Sequence, residues 1–334
     1  MRSFANSSPA KTMPKKRLDL EEISSKVGIS PNKIKEILWW LYREERIGNN
    51  ELIRKSGLPK SVVRDLLKSL QPFLEKPTRF VVLNKDGQKL TEAMIDQLIR
   101  KTPFSEKRAK NDLFIKLKSY HRKRLRPKRN LDQFPAATET ILERALLIQE
   151  KGDLGGKEIL LLGDYDLTSL ALALIGGAKE IVVLDIDRQL LRTIDQIAQK
   201  EKFKIKSFYY DVKQPLLGVL KKSFDVIFSD PPYTPNGLRL FLARAVEAAK
   251  DDHSVFYFCY GFSDRARERG LEAQKIISQS GLLIEEKLKD FNLYRGAESI
   301  GSRSSLYVLK KTPKTKILIA GRFKGPIYTG IRKK

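Results

Sequence analysis

Six aspartates, Asp164, Asp166, Asp185, Asp187, Asp211 and Asp230, each stand just past a short apolar run, where a buried parallel strand would hand its chain to a loop. Carboxylates gathered at that edge of a sheet can take ribose hydroxyls, hold ammonium groups and accept a proton from an attacking amine. They repel phosphates and other carboxylates. The first two sit in Gly163-Asp164-Tyr165-Asp166, between the run 159–162 and a helix that stops at Gly176 and Gly177. A nucleotide loop at this place usually reads G-x-G, because bare backbone and a helix N-terminus must approach an anion. Here the second glycine is missing and carboxylates stand in the loop, a composition that attracts cations. Asp also favours the first turn of a helix, so a purely capping role for Asp164 and Asp166 stands beside the chemical one.

Asp185 lies about 20 residues beyond Gly163, the spacing at which a carboxylate reaches ribose hydroxyls. Asp230 opens Asp230-Pro231-Pro232-Tyr233 after the run 224–229. The prolines fix the backbone so that carbonyls or the Asp side chain can accept a hydrogen bond from an amine, and Tyr233 can stack on a flat or cationic group. A Pro-Pro turn after a strand also has a plain structural use.

Positioning these residues takes a sheet. Apolar runs at 159–162, 181–184, 205–210, 224–229 and 254–260 alternate with helical stretches at 188–200 and 264–280, and two closing runs at 282–291 and 304–311 are near enough to form a hairpin. The fold class is α/β, a doubly wound, mostly parallel sheet whose order resembles the methyltransferase-type Rossmann fold. It spans residues 131–311. Upstream, 18–100 reads as helices with a helix-turn-helix spacing over 49–70 and a wing expected from 73–75 and 79–83, a winged-helix domain. Its second helix would expose Lys60, Arg64 and Lys68. Residues 1–17 read as a disordered tail, 101–130 as a basic linker carrying 12 Lys or Arg against Glu106 and Asp112, and 312–334 as a basic flexible tail.

Composition narrows the classes. A chain of 334 residues has room for about two domains. No apolar run reaches the roughly 20 residues that span a bilayer. With Cys259 the single cysteine and only His121 and His253, neither a disulfide nor a zinc site is expected, and a reducing, cytoplasmic setting fits. The formal charge of +25 suits a polyanion, so nucleic acid is a compatible though not a required partner.

Two enzyme readings share an adenosyl sulfonium donor and attack by nitrogen. In one, S-adenosylmethionine methylates an amine of RNA or DNA; in the other, decarboxylated S-adenosylmethionine passes an aminopropyl group to a polyamine. The acidic loop favours the second, because the methyl donor carries a carboxylate. Two like charges about 4 Å apart cost about 1 kcal/mol in water and about 4 kcal/mol at a partly shielded site. The surface charge of the protein matters less, since it is largely screened beyond a Debye length of roughly 8 Å. A nonenzymatic regulator, sensing a nucleoside or polyamine and binding DNA, is the third reading.

Four stretches also resemble one family: LDQFPAATET at 131–140, GDLGGKEILLLGDYDLTSLALAL at 152–174, VVLDID at 182–187 and SDPPYTPNGLRLFL at 229–242. They are similar to the branched-chain polyamine synthases, the N4-bis(aminopropyl)spermidine synthases. The resemblance implies successive aminopropyl transfers to the central nitrogen of spermidine or a similar polyamine, with no bound prosthetic group, no metal, no membrane association and a homodimer. It further implies a base or amine ligand at Asp164, Asp166 and Asp230, donor contacts at Gly163, Asp185, Asp187 and Asp211, and acceptor contacts at Asp132, Tyr165, Pro231, Pro232 and Tyr233. The family loop usually reads Gly-Asp-Asp-Asp. This chain has Tyr165 in place of the middle carboxylate; if that carboxylate is the required base, the substitution changes the activity or the acceptor.

Overall fold

The computed structural model describes residues 18–329, apart from 57, 77–78, 102–106, 263–265 and 296–301. The expected tail at 1–17 and the end of the C-terminal tail at 330–334 lie outside the described residues. The chain divides into two compact units, Met1–Arg100 and Lys101–Lys334.

The first unit holds helices α1 (Leu20–Val27), α2 (Pro31–Arg43), α3 (Asn49–Ser56), α4 (Lys60–Ser69) and α5 (Lys85–Lys101), with β1 (Ile47–Gly48) pairing antiparallel to β2 (Phe80–Val81). Asp19 and Ser30 cap α1 and α2 by accepting from backbone N–H groups of their first turns. Ile34, Ile37, Leu38 and Leu41 meet Val63, Leu66 and Leu70 in one core, and Lys60, Arg64 and Lys68 are exposed. The wing is slighter than the sequence suggests. Residues 73–75 and 79–83 share an isolated bridge between Leu74 and Leu83, and the ladder goes to Ile47 and Gly48 instead.

In the second unit the elements are α6 (Lys107–His121), α7 (Thr138–Glu150), β3 (Glu158–Leu162), α8 (Thr168–Ile175), β4 (Glu180–Asp185), α9 (Arg188–Glu201), β5 (Ile205–Tyr209), β6 (Val226–Ser229), α10 (Pro235–Ala248), β7 (Val255–Tyr260), α11 (Arg267–Gln279), β8 (Leu283–Leu293) and β9 (Arg303–Lys310). They build a seven-stranded sheet in the order β5-β4-β3-β6-β7-β9-β8. The first five strands are parallel, and β9 runs antiparallel to both β7 and β8. Strand alternation divides the core. Ile159 and Leu161 face the cluster that includes α7 and α8, while Leu160 and Leu162 face that of α10 and α11. Chain direction reverses across the sheet at β3, so the loops after β3 and β6 diverge there and leave a crevice at the carboxyl edge.

Two stretches outside the expected catalytic domain are packed parts of it. The stretch read as a basic linker contains α6, whose Leu117 and Tyr120 are buried beside α7. Its charged residues face water along one side only, and the apolar stripe between them docks. The stretch read as a flexible tail carries no helix or strand, yet its path is fixed over 312–329. Arg244 of α10, fully buried, donates to the carbonyls of Ile319 (3.2 Å) and Gly321 (2.6 Å), and Ile327 is buried in the second core cluster. A guanidinium gives irregular backbone the hydrogen bonds that a ladder would otherwise supply.

Candidate active site

The crevice holds a cavity of about 320 Å³. Its wall is made by the loops after β3, β4, β5 and β6, closed by 131–134, by Tyr294 just past β8 and by Tyr328 and Thr329 of the C-terminal stretch. Five aspartates line it, Asp132, Asp164, Asp166, Asp185 and Asp230, against two cations, Arg144 and Arg269.

The loop after β3 is bent by two left-handed residues, Gly163 at φ +75° and Leu167 at φ +65°. A Cβ on Gly163 would meet only ordinary contacts at 3.9 Å or more, so the glycine serves the dihedral rather than a close approach. Leu167 has no such freedom. It is fully buried, and holding a leucine there costs about 1–3 kcal/mol that its packing must offset. The result is that Asp164 folds back onto α8, its carboxylate accepting from the N–H groups of Thr168 (2.7 Å) and Ser169 (3.2 Å) and from the Ser169 hydroxyl. Burial pushes its pKa up to about 8. Asp164 thus makes the contacts of a helix cap, and its 3 % exposure leaves little of it for an attacking amine.

Asp185 ends β4 and ties two loops: Oδ2 accepts from the Asp164 N–H (3.0 Å) and Oδ1 from the Asp187 N–H (2.7 Å). Burial raises its pKa to about 6. Asp187 and Asp211 do not reach the cavity wall. Asp187 caps α9 through Gln189 and Leu190 and pairs with Lys128 at 2.7 Å; burial works upward on it, but Lys128 and Gln133 hold it below the ordinary carboxylate range. Asp211 accepts from the Lys213 N–H two residues on, a local turn, while its neighbours Tyr210 and Val212 line the cavity instead. The family resemblance implies donor contacts for both; here the first turn of α9 takes up Asp187 and a local turn takes up Asp211.

Asp166 and Asp230 meet across the crevice. Asp166 accepts from the Ala136 N–H (2.8 Å) and Asp230 from the hydroxyls of Tyr233 (3.0 Å) and Tyr294 (2.6 Å). Between them lies Arg144 of α7, with no exposed surface, bonded to Asp166 at 3.0 Å and to Asp230 at 2.9 Å. Burial raises the Asp230 pKa above the ordinary carboxylate value, with Asp166 adding to the rise and Arg144 and the two phenols offsetting part of it. Arg124 stands 3.6 Å from Asp166. Tyr165 points out of this group: its hydroxyl donates to the Leu125 carbonyl (2.9 Å), Arg124 lies over its ring at 5.5 Å, and burial lifts its pKa to about 12. It adds neither charge nor base. Pro231, Pro232 and Tyr233 line the cavity, and Asp132 does too, with its carboxylate held by the Thr329 N–H at 2.8 Å.

Sequence reasoning missed Arg144, Tyr294 and Tyr328. Arg144 left a signal. It follows Ile141 by three residues on the face that Ala145 and Ile148 complete, a core position where a charge demands a buried anion. Tyr294 and Tyr328 left none, since one ends a hairpin strand and the other sits in aperiodic chain.

Fold and crevice together define an α/β protein of the methyltransferase-type Rossmann class, with an acid-lined ligand cavity at the carboxyl edge of its sheet. A crystal structure of the branched-chain polyamine synthase from Thermus thermophilus, in complex with N4-aminopropylspermidine and 5'-methylthioadenosine, shares this fold with a TM-score of 0.59 and 23% identity over 92% of this chain and 95% of that one. The model of the branched-chain polyamine synthase A C-terminal domain matches residues 112–320. The chain belongs to the branched-chain polyamine synthase family. An uncharacterised protein of Methanocaldococcus jannaschii is 34% identical over 94% of this chain and 82% of its own length. The N(4)-bis(aminopropyl)spermidine synthases of Thermococcus kodakarensis and of the same M. jannaschii are 33% and 32% identical over 55% of this chain. The alignments take in about half the length of those synthases, 53% in each case.

Proposed function

We propose that this protein transfers aminopropyl groups from decarboxylated S-adenosylmethionine to a nitrogen of spermidine or a similar polyamine. The observation that carries this reading is the cavity wall, where five aspartates stand against Arg144, already engaged by two of them, and Arg269. A donor bearing a carboxylate would enter a negative field, whereas one bearing only ammonium and sulfonium is drawn in. Family membership supports the same chemistry, since relatives over the matched half carry the synthase name.

In this reading Asp185 takes the donor ribose, with the left-handed Gly163 making the turn that brings the loop beside it. Asp230 accepts the hydrogen of the attacking amine and Tyr233 packs against its methylenes. The nitrogen lone pair forms the new N–C bond, the C–S bond breaks with its electrons going to sulfur, and neutral methylthioadenosine leaves. A secondary amine then sheds its proton to Asp230. A tertiary amine has none to shed, so a second transfer leaves a quaternary nitrogen.

The test is incubation of the purified protein with spermidine and the decarboxylated donor, in parallel with RNA or DNA and ordinary S-adenosylmethionine. Mass spectrometry should find polyamines heavier by one and two aminopropyl groups and stoichiometric methylthioadenosine. Methylated nucleic acid without any aminopropyl product overturns the reading.

A further inference from the structure

Arg144 is one of the two largest side chains buried without exposed surface, and its guanidinium is fully used. Nε donates to Asn292 (2.7 Å), Nη1 to Asp166 (3.0 Å) and Thr168 (3.5 Å), and Nη2 to Asp230 (2.9 Å) and to the Tyr294 hydroxyl (3.0 Å). One planar group thus gathers the loop after β3, the loop after β6 and the end of β8. Both carboxylates are gripped by the same oxygen, Oδ2. Oδ1 of Asp166 accepts from the Ala136 N–H and has Arg124 at 3.6 Å, whereas among the described residues Oδ1 of Asp230 accepts from Tyr233 alone. A carboxylate oxygen has room for two donors, and Asp230 keeps 19 % of its side chain exposed against 9 % for Asp166.

We propose that Arg144 is a positioning residue for amine attack: by clamping Oδ2 of Asp166 and Asp230 it holds the two carboxylates side by side and turns the open oxygen of Asp230 into the cavity. The idea deepens the aminopropyl-transfer reading and rests on it. Two neighbouring carboxylates ordinarily share a proton, because like charges at short range cannot both persist. The groups facing Asp230 are Arg144 from α7, Asp166 from the loop after β3, Cys259 from β7, Tyr294 just past β8 and Tyr233 from its own loop. Arg144 is the one permanent cation among them. Arg144, with Arg124 at 3.6 Å from Asp166, offsets the mutual repulsion of the two carboxylates and leaves Oδ1 of Asp230 to face the attacking nitrogen. Lysine could not substitute, since a single ammonium on a flexible stem does not bridge two loops in a fixed plane.

The experiment compares Arg144→Ala and Arg144→Lys with the wild type after confirming folding by circular dichroism. Turnover should fall by about two orders of magnitude in both, with the KM for the donor within about threefold. The acidic limb of the kcat–pH profile should move upward by about one pH unit or more in Arg144→Ala, as Asp230 loses its cation. Added guanidinium should restore part of the activity to Arg144→Ala and none to Arg144→Lys. A merely structural role predicts lost activity with an unmoved acidic limb and no rescue, and that result overturns the proposal. So does failure of both variants to fold, or wild-type turnover in Arg144→Lys. Should the wild type itself form no aminopropyl product, the activity reading fails separately. The arginine is then judged by carbon-13 carboxyl titration, with Asp230→Asn for assignment: an upward shift of the Asp230 signal in Arg144→Ala sustains the clamp, and an unchanged one ends it.

Discussion

The two sides of the crevice hold their aspartates by different means. On the side of β4, Asp164, Asp185 and Asp187 are satisfied mainly by backbone N–H groups of neighbouring loops and helix ends. Across from them, Asp166 and Asp230 share the Arg144 side chain of α7, and Asp230 also takes the hydroxyls of Tyr233 and Tyr294. Backbone donors come with the fold, so the first set is shaped wherever the sheet forms. Side-chain donors have to be brought in, and three of the contacts of Arg144 lie 86, 148 and 150 residues away in sequence. The difference teaches that the β4 side of the crevice is a property of the architecture and the opposite side a property of this particular chain.

That contrast breaks most visibly at Asp230. Asp230→Asn keeps the shape and removes the base, so kcat should fall by about 10²- to 10⁴-fold, the usual worth of a positioned proton acceptor. The donor KM should hardly move, because the β4 side is untouched. Single-turnover measurement of methylthioadenosine release separates the two. Equal losses in donor affinity and turnover would mean that the halves are not independent.

The same contrast explains what could be read from the sequence. Apolar strands alternating with helices gave away the sheet, and the loops after them gave away where carboxylates could gather. Asp164, Asp166, Asp185 and Asp230 do line one cavity. Spacing alone could not say which carboxylates a helix end would claim, and Asp187 was lost to the cap of α9 that way. Nor could it say that α6, whose charges resemble a solvated linker, would dock by Leu117 and Tyr120 and place Arg124 and Lys128 beside the site. Such contacts depend on tertiary packing, which leaves no period in the sequence.

A smaller effect is expected at Asp187. Asp187→Ala removes a helix cap and a partly exposed ion pair, so it should cost about 1 kcal/mol and lower the melting temperature by about 2–4 °C in a unit of this size. Turnover and donor KM should stay as they are. A raised donor KM at unchanged stability would restore Asp187 to the nucleoside site.

The finest distinction concerns Asp164, whose loop belongs to both sides. Its carboxyl sits at a helix start, where backbone N–H groups favour the anion, yet burial outweighs them and lifts the pKa from 3.8 to about 8. The sign follows from linkage. A folded-state pKa above the unfolded one means that the native protein holds the proton more tightly, so stability is greatest at low pH and is lost as pH climbs from about 4 through about 8. Each pH unit in that window costs about 1.4 kcal/mol at most. Asp164→Asn imitates the neutral acid: its amide oxygen can accept from Thr168 and its NH₂ can donate to Ser169. The variant should therefore match the wild type in thermal melts at pH 5 and exceed it at pH 9. If instead Asp164→Asn melts lower at pH 9, the carboxylate form is the better cap, and the cation-attracting field of the loop is stronger than its burial allows. Loss of turnover at neutral pH with unchanged melting would say that Asp164 belongs to the chemistry, and that the division between an architectural half and a chain-specific half runs through this loop rather than beside it.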